Sequence, residues 1–320
     1  MFTRIPVPTP FQVGRVNAYL AGATLVDPGP DSEEAWATLL EGLEAEGLRP
    51  GDVERVLVTH PHPDHFGLAA RLRDEGARVL ASPACAAIVS DFAGRFAYER
   101  NFFTEFFERC GLSAETAATV TDLPEAFLPY APDVPVDREL VAGDEVTVAG
   151  HAVTVDAVEG HAPGELVFAY GDGERRAIVG DNVLGHITPN PFLQPPPESD
   201  DERPRVLPAY NRSLRRLREE GYDRFLPGHG DPVADPAGRI DAILDAHEKR
   251  TDDVRGLVDG PTTPKDVMEG LFEDLPVTEQ FAGLSEAVGH LDVLERRGAV
   301  GQRLSGDVIV YEPLDGQSRQ

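Results

Sequence analysis

Residues 59–67, with the sequence THPHPDHFG, constrain this chain more than any other segment. The apolar residues 56–58 before it are typical of a short buried strand, and the segment after it is typical of a helix. Two prolines fix φ and predict an extended backbone, in which alternate side chains share one face. We therefore expect His60, His62 and Asp64 on one side. Imidazole and carboxylate groups that converge at the end of a strand suit Zn²⁺ or a similar divalent cation.

The density of histidine in this segment has no explanation in packing. His65 follows Asp64 directly, so that three of the nine histidines of the chain lie within six residues. Imidazoles at such density repel one another once they are protonated, unless a metal ion organises them. The alternative is a surface turn that is merely rich in histidine, and the pattern favours the metal site over it.

The pattern His-x-His-x-Asp-His at residues 60–65 resembles the signature of the metallo-β-lactamase-fold superfamily. In that superfamily the motif supplies ligands to two metal ions. The resemblance therefore implies two divalent ions, with Zn²⁺ preferred and Fe or Mn as alternatives. It also implies that further ligands occur in later loops of the chain.

Three later loops match the ligands that the resemblance requires. His161 lies in a Gly-His-Ala-Pro-Gly loop, Asp181 follows an apolar strand and a glycine, and His229 lies in Pro-Gly-His-Gly. The resemblance thus implies three ligands for each metal and one bridging ligand: His60, His62 and His161 for the first, Asp64, His65 and His229 for the second, and Asp181 as the bridge.

The resemblance implies a hydrolase, similar to glyoxalase II-type thioesterases (hydroxyacylglutathione hydrolases), lactonases and phosphodiesterases. A water between two divalent ions loses a proton near neutral pH, and the bridging hydroxide attacks the carbonyl of a small ester, thioester or lactone. Asp64 is the candidate that orients this hydroxide and passes its proton to the leaving group. Asp27, in an Asp-Pro-Gly turn, is expected either to brace the histidine loop or only to close its turn.

Two other activities use similar sites, and the ligands alone do not exclude them. One is an endoribonuclease or other phosphodiesterase, and the other is an oxidoreductase with a single iron ion, similar to sulfur dioxygenases. The formal net charge of −27 repels a polyanion and argues against nucleic acid. With lysine only at positions 249 and 265, this acidity resembles that of halophilic proteins, although a bacterial genome of high GC content also favours arginine over lysine.

The sequence predicts an α+β fold with two domains. For residues 1–258 the family resemblance implies a four-layer αβ/βα metallo-β-lactamase sandwich, and residues 259–320 are expected to form a small module that resembles a winged helix. That tail is similar to the β-lactamase-like-protein-2 branch, but four basic against eleven acidic residues between 259 and 312 argue against DNA binding. We expect it to serve in packing or in a homodimer.

Two insertions are expected to shape the surroundings of the site. The helical segment at about 83–120 is rich in aromatic residues, which indicates either a packed core or dimer interface, or a lid over the metals. Residues 188–205 carry six prolines and predict an ordered loop or a contact surface.

Cysteine usage and hydropathy indicate where the protein acts. The sequence has two cysteines, Cys85 and Cys110, too few for a disulfide framework. No apolar run approaches the roughly 20 residues that span a bilayer, and the first residues do not resemble a signal peptide. We expect a cytoplasmic enzyme that acts on a small molecule, away from membranes.

Overall fold

The computed structural model describes residues 1–314 except residues 172 and 198–201, and it divides into two compact units. Part of the predicted proline loop, residues 198–201, lies outside the described residues. The first unit is assembled from three stretches of chain: Met1–Arg95, Ala126–Pro189 and Ser213–Ile240.

Two β-sheets form the centre of the first unit. The first sheet has six strands in sequential order: β1 (Thr3–Val7), β2 (Val16–Ala21), β3 (Thr24–Val26), β4 (Arg55–Leu57), β5 (Arg78–Ala81) and β6 (Arg138–Glu139). The second sheet has five strands in the order β11-β10-β9-β8-β7: β7 (Glu145–Val148), β8 (His151–Ala157), β9 (Leu166–Gly171), β10 (Arg175–Ile178) and β11 (Arg224–Leu226).

The two sheets pack face to face through one apolar layer. Tyr19, Leu57 and Leu80 contribute to this layer from the first sheet, and Phe168 and Ile178 contribute from the second. The opposite face of the first sheet packs against helices, so that strands β2 and β3 are buried on both faces. These helices are α1 (Glu33–Ala45), α3 (Ala69–Asp74) and α4 (Pro83–Val89), with α2 (Pro63–Phe66) just before α3. Helices and stacked sheets are what the sequence predicts for this part of the chain.

Strand direction brings several chain segments to one edge of each sheet. Strands β3, β4, β5 and β6 run parallel, as do β10 and β11, while the remaining pairs are antiparallel. The carboxyl ends of parallel neighbours meet at the same edge, where open sheets of this kind bind ligands. The loops that follow β3, β4, β10 and β11 therefore hold the residues of interest.

The second unit is mainly helical and also comes from three stretches: Phe96–Glu125, Asn190–Arg212 and Asp241–Gln320. Its elements are α5 (Phe92–Arg109), α6 (Ala114–Asp122), α7 (Val206–Glu219), α8 (Pro236–Leu257), α9 (Pro264–Leu271), α10 (Gln280–Arg296), β12 (Val300–Ser305) and β13 (Val308–Pro313). The chain passes between the two units within α5, α7 and α8.

The aromatic helix α5 supplies the core of the second unit. Phe103 and Phe107 are buried there, and both rings pack edge-on against Phe281 of α10. Tyr311 of the hairpin β12–β13 belongs to the same apolar cluster. The helices and hairpin expected in residues 259–320 are present, while the comparison with a winged helix and the boundary at residue 258 stay predictions.

The helices of the described residues also bear on whether the chain crosses a membrane. In the described part of the chain, no helix combines the length and the apolar character needed to cross a bilayer.

The turn after α2 depends on a glycine. A Cβ at Gly67 would overlap the carbonyl oxygen of Tyr130 and the backbone nitrogen of Asp31, neither of which can move independently of its own segment. We predict that Gly67→Ala lowers the free energy of unfolding by about 1–3 kcal/mol, the usual cost of overpacking.

Gly256 provides the matched control for this substitution. It lies in α8, and a Cβ there meets nothing within 4 Å. Alanine is the better helix former by about 1 kcal/mol, so we expect Gly256→Ala to retain or raise stability. Urea unfolding followed by circular dichroism compares the two variants, and equal midpoints would contradict the prediction.

Candidate metal centre

The seven residues that the sequence singles out come together at the sheet edges of the first unit. His60 and His62 follow β4, His161 lies between β8 and β9, Asp181 follows β10, and His229 follows β11. Six of the seven are buried, and His62 is intermediate in exposure. Their convergence follows from the strand ends that precede them.

Three groups of these side chains could each hold a metal ion, because their ligand atoms lie within 4.8 Å of one another. The groups are His60, His62 and His161; His60, His65 and Asp181; and Asp64, His65 and His229. The first and third are the two triads that the resemblance implies.

Asp181 lies between these two triads. Its Oδ2 is 3.6 Å from His161 Nε2 and 3.4 Å from His229 Nε2, and its Oδ1 is 3.6 Å from His65 Nε2. Gly228 makes this placement feasible, because a Cβ there would overlap Asp181 Oδ1 and approach His65 Cε1 to 2.6 Å. A single carboxylate is thus within reach of both histidine groups.

The backbone of the histidine motif is extended only as far as His62. The expected extended run through Asp64 is wrong, because Pro63 begins the short helix α2 and His62 is its N-cap. Proline suits the first position of a helix, where its fixed φ is already helical and its missing N–H costs nothing. The helical turn places Asp64 and His65 beside the later loops, with Asp64 Oδ2 3.3 Å from His229 Nε2.

Asp27 orients His60 and His65 from the side of each ring that faces away from the cluster. Its carboxylate accepts hydrogen bonds from Thr59 N at 2.8 Å, Thr59 Oγ1 at 2.6 Å and His65 Nδ1 at 2.9 Å. Since the Thr59 hydroxyl donates to Asp27, it accepts from His60 Nδ1 at 2.9 Å. Both imidazoles therefore present Nε2 to the cluster, as metal-binding histidines do when a polar group fixes the other nitrogen.

The His229 loop is held in the same way by the first hairpin. His229 Nδ1 donates to the carbonyl of Arg15 at 2.8 Å, which leaves Nε2 facing the carboxylates. Asn17 donates to the carbonyls of Pro227 and Gly230, and Tyr19 donates to that of Pro227. One backbone carbonyl thus sets the orientation of the His229 ring, and the buried side chains of Asn17 and Tyr19 hold its loop.

The electrostatics separate the histidines into two kinds. Burial and the neighbouring imidazoles lower the pKa of His60 well below its usual value and that of His62 to about 3. Burial opposes charge at His65 and His229 as well, but Asp181 and the other carboxylates raise the pKa of His65 well above its usual value and that of His229 to about 9. These shifts favour the neutral form of His60 and His62. They favour the protonated form of His65 and His229, whose positive charge balances the neighbouring carboxylates.

These donor atoms fit a divalent cation. In the part of the chain that the structure describes, His65 Nε2, His229 Nε2 and Asp181 Oδ1 are buried and have no hydrogen-bond partner. Buried polar atoms are seldom left unpaired, because their desolvation costs free energy. A cation held here would satisfy these atoms and would take the place of the histidine protons as the counter-charge of the carboxylates.

A family model decides what kind of protein carries this site. The model of the metallo-beta-lactamase superfamily matches residues 12–229, a range that includes all seven candidate metal ligands. The chain belongs to the metallo-beta-lactamase superfamily. The resemblance and the fold class expected from the sequence are thereby confirmed, while a halophilic origin stays a prediction.

Relatives in this superfamily match nearly the whole chain. The chain is 31% identical over 315 residues to the probable metallo-hydrolase YqjP of Bacillus subtilis (strain 168), and the match covers 97% of each chain. It is 23% identical to a beta-lactamase-like protein 2 homolog of Drosophila melanogaster, with coverage of 96% of this chain and 91% of the relative.

Two solved structures are similar over the same extent. A metallo-beta-lactamase family protein from Thermus thermophilus matches with a TM-score of 0.77 and 29% identity, covering 98% of each chain. A beta-lactamase domain protein from Burkholderia ambifaria matches with a TM-score of 0.76 and 26% identity, covering 97% of this chain and 91% of the other. Together with the cluster of histidines and aspartates, membership of the superfamily supports a metal-dependent hydrolase.

Sequence reasoning missed the residues that support the site from outside the motif. Glu165 and Asn182 are fully buried and hydrogen-bonded to each other, while Asn17 and Tyr19 hold the His229 loop. Glu165 gave one usable signal, an acidic residue immediately before the apolar strand β9.

Asp27 offers a direct test of how the histidines are held. We predict that Asp27→Asn weakens zinc binding roughly 10–100-fold, because the amide keeps one acceptor oxygen for three donors. Asparagine also tolerates the positive φ of 52° at this position, so the substitution adds no backbone strain that would itself change zinc affinity. Competition with a chromophoric chelator measures the affinity.

Asp31→Asn serves as the control for this measurement. Asp31 accepts a hydrogen bond from Arg71 Nε at 2.7 Å and does not belong to the three candidate metal groups found among the described residues. Zinc affinity should be unchanged in this variant. Equal losses in both variants would show that Asp27 acts on general stability alone.

Proposed function

We propose that this protein is a dinuclear metal-dependent hydrolase that cleaves a small ester, thioester or lactone. His60, His62 and His161 bind one ion, Asp64, His65 and His229 bind the other, and Asp181 bridges them. The observation that carries the proposal is the position of Asp181, whose carboxylate lies within 3.6 Å of histidine nitrogens from both triads.

The metals would supply the central chemistry. When bound, divalent ions lower the pKa of a coordinated water toward neutrality and polarise the carbonyl under attack. The chain supplies its donors on rigid strand ends, together with the buried Asp27 that fixes His65 and, through Thr59, His60. Such preorganisation avoids rearrangement during the reaction.

Asp64 is the candidate for proton transfer. Its side chain is 9% exposed, and its Oδ2 lies 3.3 Å from His229 Nε2. Burial alone would raise the pKa of this carboxyl, but His65 and His229 lower it below its usual value. The carboxylate is therefore ionised at neutral pH, and in the metal-loaded protein it would orient the attacking water and carry a proton to the leaving group.

The acidic chain favours a small substrate over a nucleic acid. A net charge of −27 gives a repulsive field toward a polyanion, and nuclease activity would have to overcome it. The ester, thioester or lactone group itself is uncharged, so a small substrate of this class need not carry the charge of a polyanion. Cytoplasmic location and a homodimer, expected from the sequence, are part of the same proposal.

Metal analysis tests the number of ions. We predict two divalent ions per chain after reconstitution with zinc, as measured by inductively coupled plasma mass spectrometry. His62→Ala and Asp181→Ala should lose metal and hydrolase activity, because each removes a donor that no other side chain replaces. The circular dichroism spectra should stay close to that of the unchanged protein.

His151→Ala is the matched histidine control. His151 is exposed at the start of β8, outside the three candidate metal groups. Its substitution should leave metal content and activity unchanged. Full turnover by purified Asp181→Ala would overturn the assignment, and one iron per chain in the protein as purified, before zinc is added, would favour the oxidoreductase alternative.

A substrate panel tests the reaction class. Thioesters, lactones, aryl esters and phosphodiesters, including RNA, are offered to the reconstituted protein and to Asp181→Ala as a background. We expect turnover of at least one carbonyl substrate, abolished by a chelator and restored by zinc. Cleavage confined to phosphodiesters or RNA would replace the carbonyl hydrolase with a phosphodiesterase.

A further inference from the structure

Glu165 is a fully buried acidic residue at the end of the loop that carries His161. Its relative exposure is 0%, although glutamate is rarely buried without a partner. It belongs to none of the candidate metal groups. Its burial beside the cluster therefore needs another explanation.

Backbone hydrogen bonds fix Glu165 at the base of two site loops. Its carbonyl accepts from Val158 N at 3.0 Å, which closes the loop containing His161. The next residue, Leu166, donates its N–H to the carbonyl of Thr59 at 2.8 Å, directly before His60. The position of residue 165 is thus set by the segments that carry His60 and His161.

The side chain of Glu165 reaches a third segment. Its Oε2 accepts a hydrogen bond from Asn182 Nδ2 at 2.9 Å, and both residues are fully buried. Asn182 directly follows Asp181. A Cβ at Gly180 would lie 3.3 Å from Glu165 Oε1, so the carboxyl packs against both neighbours of Asp181.

We propose that Glu165 is a positioning residue of the metal centre, which holds the Asp181 loop against the His161 loop through its hydrogen bond with Asn182. This inference rests on the proposed metal site. Residues that orient metal ligands without touching the metal typically change metal affinity roughly 10–100-fold when they are replaced.

An apolar residue would fill this space at lower cost, so the carboxyl has a purpose other than packing. Burial raises the pKa of Glu165 to about 8, although the hydrogen bond from Asn182 opposes the shift. In the part of the chain that the structure describes, Oε1 has no hydrogen-bond partner. Burying a carboxyl oxygen without a hydrogen-bond partner lowers the stability of the fold. The hydrogen bond between Glu165 and Asn182 offsets part of this cost.

Two substitutions at this position separate the hydrogen bond from packing. Glu165→Met has similar length and keeps the backbone hydrogen bonds, but it cannot accept from Asn182. Glu165→Gln retains the acceptor oxygen. We expect the zinc dissociation constant of the full-length protein to rise roughly 10–100-fold in the methionine variant and to stay unchanged in the glutamine variant.

A spectroscopic measurement reports on ligand geometry independently of catalysis. The ligand-field absorption of the cobalt-substituted protein should shift in Glu165→Met and match the unchanged protein in Glu165→Gln. Asn182→Ala removes the other side of the same hydrogen bond, and it carries the test if Glu165→Met does not fold. Because both changes remove the hydrogen bond between the two side chains, the loss of zinc affinity in the double variant should be smaller than the sum of the two single losses.

Leu39→Ala is the control for lost stability. Leu39 is fully buried on α1 in the apolar core of the first unit. Its truncation should lower the thermal midpoint and leave zinc affinity unchanged. The positioning role would be overturned if Leu39→Ala or Glu165→Gln lost as much zinc affinity as Glu165→Met.

The wild-type measurement separates the two proposals. If the unchanged protein binds no zinc or cobalt, the metal centre and the role of Glu165 both fail. If it binds zinc tightly and Glu165→Met binds it equally well, the metal centre stands and only the role of Glu165 is overturned.

Discussion

The arrangement of the metal centre depends on one buried carboxylate, that of Asp27. It is 1% exposed and accepts three hydrogen bonds at 2.6–2.9 Å from Thr59 and His65. Its own backbone N–H donates to the carbonyl of Leu57 at 3.0 Å, which ties the end of β3 to the end of β4. The residue adopts a positive φ of 52°, an uncommon conformation that the surrounding hydrogen bonds maintain. Asp27 therefore fixes the ends of β3 and β4, the start of the histidine motif and the ring orientations of His60 and His65.

Much of the site could be predicted because its candidate metal ligands lie in a few short segments of the sequence. His60, His62, Asp64 and His65 lie within six residues, and no packing requirement explains such a pattern. The later loops around His161, Asp181 and His229 follow recognisable strand and glycine patterns. The fold class followed from the family resemblance that these same short segments carry.

Other features could not be predicted because they depend on contacts between distant segments. The hydrogen bond between Glu165 and Asn182 spans 17 residues, and the bonds from Asn17 to the His229 loop span more than 200. The extended interpretation of the motif was wrong at Pro63, since proline is compatible with both an extended run and the first position of a helix. No single-residue preference distinguishes these outcomes, and the tertiary contacts of Asp64 and His65 decide them.

The discontinuous second unit has a consequence for biosynthesis. Its core includes Phe103 and Phe107, made early, and Tyr311, near the end of the described chain. A chain made from its N-terminus must therefore expose the apolar face of α5 while roughly 200 further residues are added, at about 5–20 residues per second. During that time the first unit acquires its last six strands, β6 to β11, whereas the aromatic helix still lacks the partners from α10 and the hairpin β12–β13. The newly made protein is thus expected to depend on chaperones until synthesis reaches the final hairpin.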